Sequence, residues 1–192
     1  MSTRWGAERR SSGHDYDARW ERLAAAGEDP HGEANFVATF DPASVLDAGC
    51  GTGRVAIELA RRGIETVGVD LDTGFIERAR AKAPALTWHG ADLASVDLGR
   101  QFDLVLAAGN VMIFLAPNSE AAVLANVARH LLPGGRFVAG FQVRADGMGL
   151  KEFDRLAALV GMSLEDRYAT WSAVGYQRGD YAVSVYRLTA PW

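Results

Sequence analysis

The sequence predicts an α/β fold, with a doubly wound, mostly parallel seven-stranded sheet, a C-terminal antiparallel hairpin and helices on both faces. Five short apolar runs alternate with stretches whose apolar residues recur at helical spacing, which is typical of βαβ units and a parallel sheet. A glycine-rich turn joins the first run to the helix after it. Two further strand-like runs near the C-terminus are joined by a connector too short for a crossover helix, which favours an antiparallel pair.

Each element is predicted from an apolar pattern bounded by turn residues. The parallel strands are expected at residues 45–48, 66–70, 86–89, 102–108 and 136–142. The helices are expected at residues 15–26, 32–40, 54–62, a stretch ending at 84, 118–132 and 151–160. The terminal hairpin is expected at residues 163–171 and 181–189. We expect a single domain, in which residues 1–40 form a helical cover segment and residues 41–192 bind a cofactor.

The length, charge and cysteine content of the chain limit the kinds of partner and site that it can have. A chain of 192 residues suffices for one domain with a sizeable core. The net charge of −4 disfavours nucleic-acid and anionic-membrane partners, because phosphate binding needs clustered Lys and Arg. The single cysteine, Cys50, excludes an internal disulfide, and no pair of His or carboxylates has metal-ligand spacing, so we expect no metal. No apolar run approaches the ~20 residues of a membrane span, and the N-terminus lacks the apolar core of a secretion signal. We therefore expect a cytoplasmic protein.

The turn after the first strand carries the strongest functional signal. Gly49, Gly51 and Gly53 alternate there, and glycine accepts positive φ and leaves no Cβ between the backbone and a ligand. A strand that turns through glycines into a helix is expected to offer N–H donors to a nucleotide-like cofactor. Dinucleotide sites need glycines at relative positions one, three and six, but Arg54 occupies position six. This spacing disfavours NAD, although a turn that binds nothing remains an alternative.

Asp47 and the run Gly49-Cys50-Gly51-Thr52-Gly53 closely resemble motif I of the class I S-adenosylmethionine-dependent methyltransferases. The resemblance implies that this turn wraps the methionine part of S-adenosylmethionine, which becomes S-adenosylhomocysteine. It extends over residues 45–142 and is only architectural elsewhere. Five parallel strands followed by a hairpin also match the family's seven-stranded sheet, whereas a dehydrogenase would continue with a sixth parallel strand. The cofactor contacts implied in this segment are Asp47, Gly49, Cys50, Gly51 and Gly53.

Two aspartates follow the next strands. Asp70, next to Leu71, ends the second strand and is suited to accept two hydrogen bonds from a ribose diol. Dinucleotide enzymes use this position as well, and capping of the next helix is the alternative role, although Asp72 serves that role equally well. The resemblance implies that Asp92 meets the adenine amino group and that the Leu93 N–H meets a ring nitrogen. A solvated loop aspartate is the alternative for Asp92.

The fourth strand ends in small residues. Ala108 would leave room there for the sulfonium end of the cofactor, and Asn110 is a candidate contact of the substrate. Family members that methylate amino groups of nucleic acids carry a Pro-Pro-aromatic run at this point, which Asn110-Val111-Met112-Ile113 replaces here. The hint of a base or amide acceptor is therefore lost. Only residues 1–40 and a short insert at 143–149 remain to enclose a substrate, so we expect a small-molecule acceptor.

The family often folds the residues ahead of the first strand over the cofactor. On that basis Arg19 is expected to pair with the cofactor carboxylate, and Tyr16 and His31 to face the substrate. A core aromatic, a solvated helix residue and a loop residue are the alternatives for Tyr16, Arg19 and His31, respectively. The predicted reaction is methyl transfer to a small-molecule acceptor by in-line displacement, which needs alignment more than acid–base groups, so no catalytic residue is assigned. A nicotinamide-dependent oxidoreductase and a non-catalytic S-adenosylmethionine-binding protein remain alternatives.

Overall fold

A single sheet of seven strands organises the protein. The computed structural model describes residues 17, 18, 20, 22, 25–27, 29–143 and 149–189. The strands are β1 (Ser44–Ala48), β2 (Glu65–Asp70), β3 (Thr87–Gly90), β4 (Phe102–Ala107), β5 (Leu131–Gln142), β6 (Met162–Tyr168) and β7 (Tyr181–Leu188). Their order in the sheet is β3-β2-β1-β4-β5-β7-β6. Strands β1 to β5 are parallel, and β7 is antiparallel to both of its neighbours, β5 and β6.

Helices cover both faces of this sheet. They are α1 (Gly32–Ala38), α2 (Arg54–Arg61), α3 (Thr73–Lys82), α4 (Glu120–Arg129) and α5 (Leu150–Leu159), with a short 3₁₀ helix at Val111–Ile113. One apolar core packs α4 and α5 against the sheet, and two others pack α1, α2 and α3. The predicted doubly wound α/β fold with its terminal hairpin is confirmed.

Ahead of α1, the described residues of the N-terminal segment are helical at five positions. They are Asp17, Ala18, Trp20, Arg22 and Ala25. All five fall within the helix predicted at residues 15–26.

The largest boundary error concerns β5, which was predicted to start at residue 136 and starts at Leu131. The run Pro133-Gly134-Gly135 was left between the predicted helix and the predicted strand. Instead, the pairing with β4 shifts register between Phe102 and Leu104. A bulge of this kind accommodates extra residues, including a proline that has no N–H to donate. Because the strand begins early, α4 also ends at Arg129 rather than at the predicted residue 132.

Trp88 on β3 packs against the glycine-rich turn at Gly53. Its side chain is buried, and its indole N–H donates to the Ala83 carbonyl at 2.9 Å. A Cβ built on Gly53 would lie 2.6 Å from this ring, and one built on Gly68 would lie 2.4 Å from it. Both glycines are therefore required by the tryptophan, and the turn rests on a rigid aromatic surface.

We predict that Gly68→Ala lowers the free energy of unfolding by about 1–3 kcal/mol, because overpacking a well-filled core costs that much. Urea unfolding should show the loss. In a Trp88→Leu background the same substitution should cost far less, since the ring that the Cβ would meet at 2.4 Å is gone and only the Cys50 Sγ, at 3.0 Å, remains close. An equal cost of Gly68→Ala in both backgrounds would contradict this explanation.

Candidate cofactor site at the carboxyl ends of the strands

A cleft opens at the carboxyl ends of the central parallel strands. Its walls come from the turn after β1, the end of β2, helix α3, the loop after β3 and the segment after β4. The lining residues are Gly49, Gly51, Asp70, Leu71, Phe75, Asp92, Leu93, Ala108, Gly109, Val111, Phe114, Leu115, Ala116 and Ser119. Seven residues predicted to contact a cofactor meet in this cleft. They are Gly49, Gly51, Asp70, Leu71, Asp92, Leu93 and Ala108.

Asp70 is held in place by backbone donors from two directions. Its Oδ2 accepts from the Gly51 N–H at 2.8 Å, and its Oδ1 accepts from the Asp72 N–H at 2.8 Å. Burial raises the pKa of this carboxyl above its ordinary value, although the backbone hydrogen bonds oppose the shift. The alternative role for Asp70, capping of α3, is wrong. Asp72 caps that helix, because its Oδ1 accepts from the N–H groups of Gly74 and Phe75.

The glycine turn uses its own N–H groups within the protein. Gly49 and Cys50 donate to the Val69 carbonyl at 2.7 and 3.0 Å, and Gly53 donates to the Cys50 carbonyl at 2.9 Å. Gly51 donates to the aspartate carboxylate described above. These four N–H groups are therefore not offered to a ligand. What the turn offers instead is close approach to the backbone.

That close approach is possible at Gly51. A Cβ built there would meet only the Phe75 ring, at 3.8 Å, so the missing side chain leaves space on the cleft side. At Gly49 the space is already taken, because a Cβ would lie 2.4 Å from Val111. Both glycines have positive φ, 55° and 86° respectively. Gly51 is consequently the position of the turn at which the protein leaves space on the cleft side.

Three predicted cofactor residues support the turn and do not line the cleft. Asp47 is 2% exposed, and its Oδ2 accepts from the Ala56 N–H at 3.2 Å, which ties β1 to α2. Burial raises the pKa of Asp47 to about 7, against the opposing effect of Arg54. Cys50 packs in the apolar cluster with Trp88, where burial raises the pKa of its thiol. Gly53, the third residue, makes room for the same ring.

The two described substrate-side candidates are engaged elsewhere. His31 Nε2 lies 3.9 Å from the Glu58 carboxylate on α2, and neither side chain lines the cleft. Asn110 has a φ of 70°, and its Oδ1 accepts from the Gln142 N–H at 2.8 Å. It therefore joins the ends of β4 and β5, and it lies between two residues of the cleft lining, Gly109 and Val111.

The remaining candidates belong to the N-terminal segment. Tyr16 and Arg19 lie outside the described residues, so their predicted roles stay predictions. The neighbouring Asp17 and Trp20 are described, and both contact the glycine turn or the residue next to it. The Asp17 carboxylate accepts from Thr52 Oγ1 at 2.5 Å, and the Arg54 guanidinium lies 3.7 Å from the centroid of the Trp20 ring.

Several lining residues carried no functional signal in the sequence. No site role was predicted from the sequence for Phe75, Phe114 or Leu115. Met112 packs in the core, but Phe114 and Leu115 line the cleft. The segment contains a short 3₁₀ helix that begins after Asn110. Its apolar residues therefore follow neither the strand nor the α-helix period. Only the fold brings these side chains to the mouth of the site.

The cleft is acidic. Its ionisable lining residues are Asp70 and Asp92, and its lining contains no Lys or Arg among the described residues. Such a lining favours a cationic ligand and disfavours a diphosphate, which needs donors and positive charge. Within the described part of the chain, no cluster of three or more His, Cys, Asp or Glu side chains is suited to hold a metal ion. No helix found there has both the length and the apolar character needed to span a membrane.

Comparison with known proteins identifies the family. A model of the methyltransferase domain matches residues 45–135. The crystal structure of a TehB-like S-adenosylmethionine-dependent methyltransferase from Corynebacterium glutamicum is 37% identical, with a TM-score of 0.83. The match covers 91% of this chain and 96% of that one. The chain belongs to the class I S-adenosylmethionine-dependent methyltransferases.

Two further relatives match this methyltransferase over only part of their length. The magnesium-protoporphyrin O-methyltransferase of Rhodobacter capsulatus is 40% identical over 79 residues, which are 38% of this chain and 35% of that protein. The dTDP-3-amino-3,4,6-trideoxy-alpha-D-glucopyranose N,N-dimethyltransferase of Streptomyces venezuelae is 32% identical over 116 residues, which are 57% of this chain and 49% of that protein. The match thus spans half or less of each relative.

For this methyltransferase we predict a pH-dependent stability difference between wild type and Asp47→Asn. The pKa of Asp47 rises from 3.8 to about 7 on folding, so the folded state keeps a proton that the unfolded state releases. Between about pH 4 and pH 7 the wild type should therefore lose stability relative to the variant as pH rises, by up to about 1.4 kcal/mol per pH unit. Urea unfolding of both proteins across this window measures the difference. A difference that stays constant with pH would contradict the raised pKa of Asp47.

Proposed function

We propose that the protein transfers a methyl group from S-adenosylmethionine to a small-molecule acceptor by in-line displacement. The observation that carries the proposal is the acidic cleft beside a turn in which the N–H groups of Gly49, Cys50, Gly51 and Gly53 are already bonded within the protein. S-adenosylmethionine carries a positive charge on sulfur, whereas a dinucleotide carries a negatively charged diphosphate. The cleft matches the first kind of ligand in charge and in its lack of phosphate-binding donors.

The adenosine part of the donor fits the outer half of the cleft. A carboxylate has about four lone-pair sites, and the backbone N–H groups of Gly51 and Asp72 bond one site on each Asp70 oxygen. The remaining sites face a cleft that is suited to a ribose diol. Leu71 is 44% exposed at the mouth of the cleft, and Leu93 lines the opposite wall. We assign this apolar region to adenine, with Asp92 placed to accept from its amino group.

The methionine part is assigned to the inner half of the cleft, along Gly49 and Gly51. When bound, the donor supplies an activated methyl group on a positively charged sulfur. The residues of the chain then bind and orient this group, and the apolar walls exclude water. Ala108 and Gly109 are small enough to leave room beside the sulfur for an acceptor. Holding two reactants in line can supply about 7–11 kcal/mol of the barrier, so a conspicuous acid–base pair is not required.

The features that distinguish this site from a nicotinamide site support the same proposal. Arg54 occupies the place of the third dinucleotide glycine, and its guanidinium is directed away from the cleft to the Glu33 carboxylate. The Gly51 N–H is bonded to Asp70, so it is not available to a pyrophosphate. The alternative of a nicotinamide-dependent oxidoreductase therefore lacks the third glycine and the Gly51 N–H as a phosphate donor.

A small-molecule acceptor is supported by what the relatives are named for. One is named for a magnesium porphyrin and another for an amino sugar nucleotide, and they methylate oxygen and nitrogen respectively. We leave the acceptor atom unassigned for the present chain. A cytoplasmic location is part of the proposal, since the single cysteine is a free buried thiol, as reducing compartments favour. We also propose that residues 1–40 cover the site and that residues 41–192 form the binding domain.

Calorimetric titration of the full chain with S-adenosylhomocysteine, S-adenosylmethionine and NAD tests donor choice. We expect binding of the first two and none of NAD. Asp70→Asn should weaken S-adenosylhomocysteine binding about tenfold or more, because a charge-assisted hydrogen bond is worth about 1.5–3 kcal/mol. Asp97→Asn is the matched control, since Asp97 is an exposed aspartate that does not line the cleft, and it should bind like wild type.

Binding of NAD without S-adenosylhomocysteine would overturn the proposal. Incubation with methyl-labelled S-adenosylmethionine and panels of small hydroxylated, amino and thiol compounds then tests catalysis. Transfer of label to a member of these panels supports the proposed reaction. Donor binding with no transfer to any compound would favour the non-catalytic alternative instead.

A further inference from the structure

A carboxylate from the N-terminal segment joins the two walls of the cleft. The Asp17 side chain is only 14% exposed, and three donors converge on it. Its Oδ1 accepts from Thr52 Oγ1 at 2.5 Å and from Lys82 Nζ at 3.1 Å. Its Oδ2 accepts from Arg78 Nε at 3.1 Å and from Arg78 Nη2 at 2.8 Å. Burial opposes ionisation of Asp17, but these hydrogen bonds outweigh it and lower its pKa.

The first donor belongs to the glycine turn itself. Thr52 is fully buried and lies between Gly51, which lines the cleft, and Gly53, which precedes α2. The hydrogen bond that the Thr52 hydroxyl donates fixes the middle of the turn, where both neighbouring glycines have positive φ. Asp17 therefore acts on the backbone that is expected to touch the donor, although it does not line the cleft.

The other two donors belong to the opposite wall. Arg78 and Lys82 lie on α3, the helix that begins after Asp70 and carries Phe75 into the cleft. Through one carboxylate, the N-terminal segment holds α3 and the glycine turn at a fixed separation. Charge-assisted hydrogen bonds of this kind are stronger than those between neutral groups.

A second attachment lies one residue beyond the turn. The Arg54 guanidinium stacks on the Trp20 ring at 3.7 Å and forms two hydrogen bonds with the Glu33 carboxylate, at 2.6 and 3.0 Å. It also donates to the Pro30 carbonyl. Arg54 thus anchors the N-terminal segment and α1 to the start of α2. The two attachments, at Thr52 and Arg54, flank Gly53.

We propose that Asp17 is a positioning residue for the methyl donor, which couples docking of the N-terminal segment to donor binding through Thr52. The inference rests on the proposed function, because it concerns the same cleft. Coupling between two sites is reciprocal in binding free energy. Docking of the segment therefore strengthens donor binding, and the bound donor in turn stabilises the docked segment.

The test uses the full chain and a set of matched variants. Thr52→Val keeps the shape of the side chain and removes the hydroxyl donor, whereas Thr52→Ser keeps the hydroxyl. Asp17→Asn removes the charge. Glu65→Gln is the control, because Glu65 accepts a bidentate Arg100 pair at the far end of β2. Affinity for S-adenosylhomocysteine is measured by calorimetry, and amide hydrogen exchange is followed in peptides that contain residues 17–27 and 49–53.

In the wild type, S-adenosylhomocysteine should slow exchange in both peptides, since ligand binding suppresses local opening. Asp17→Asn and Thr52→Val should weaken S-adenosylhomocysteine binding about tenfold, the effect of losing one charge-assisted hydrogen bond. In both variants the ligand should no longer slow exchange in the peptide at 17–27. Thr52→Ser and Glu65→Gln should behave like the wild type.

A merely structural role for Asp17 would show a different pattern. Urea unfolding would reveal lower stability, while the affinity for S-adenosylhomocysteine and the ligand-dependent protection at 17–27 stayed unchanged. That outcome in Thr52→Val overturns the inference even when Asp17→Asn does not fold. If wild type itself fails to bind S-adenosylhomocysteine, the proposed function falls as well, so the two failures are distinguishable.

Discussion

The site depends on one hydrogen bond, from the Gly51 N–H to the Asp70 carboxylate. It joins the turn after β1 to the end of β2, so the two elements that are expected to hold the donor move as one. The same bond removes an N–H that would otherwise suit a phosphate, and it leaves a carboxylate facing the cleft. This one hydrogen bond thus accounts both for the shape of the cleft and for its preference for a cationic ligand. The family to which the chain belongs uses a cationic donor, which agrees with both.

The turn is held from three sides by different kinds of interaction. Trp88 supports it from below by packing, and the buried carboxyl of Asp47 ties the preceding strand to α2. On the outer side, Asp17 accepts from the Thr52 hydroxyl. Gly49, Gly51 and Gly53 all have positive φ. Such a turn needs support, because glycine loses more conformational freedom on folding than any other residue. The supporting groups leave only the cleft side of Gly51 open.

Much of this arrangement was predictable from the sequence, because it depends on local patterns. Strand β1 is buried along its whole length, and three of its five residues are apolar. Its end at Ala48 was predicted correctly. Asp70 was singled out because it ends a predicted strand, and Asp92 because it matches the family's pattern; both line the cleft. The start of β5 was missed because a register shift, which the sequence does not reveal, admits Pro133 into the strand.

Other features arise only from tertiary contacts. Asp47 and Cys50 belong to the motif, but both are buried behind the turn, where Asp47 accepts from the Ala56 N–H and Cys50 packs in the cluster with Trp88. The pairing of Asp17 with Thr52 spans 35 residues of sequence, and neither residue signals it. Likewise, Phe114 and Leu115 reach the cleft through a 3₁₀ turn that follows no periodic pattern. The candidate contacts of the cofactor were therefore easier to predict from the sequence than the residues that hold the turn in place.

The most direct test of the account is S-adenosylhomocysteine binding by Gly51→Ala, compared with Gly63→Ala. Both glycines have positive φ, and a Cβ at Gly63 meets nothing within 4 Å, so the two variants should suffer a similar strain of about 1–2 kcal/mol. The account predicts that Gly51→Ala folds and binds the ligand about tenfold or more weakly, while Gly63→Ala binds like the wild type. Wild-type affinity in a folded Gly51→Ala protein would contradict it.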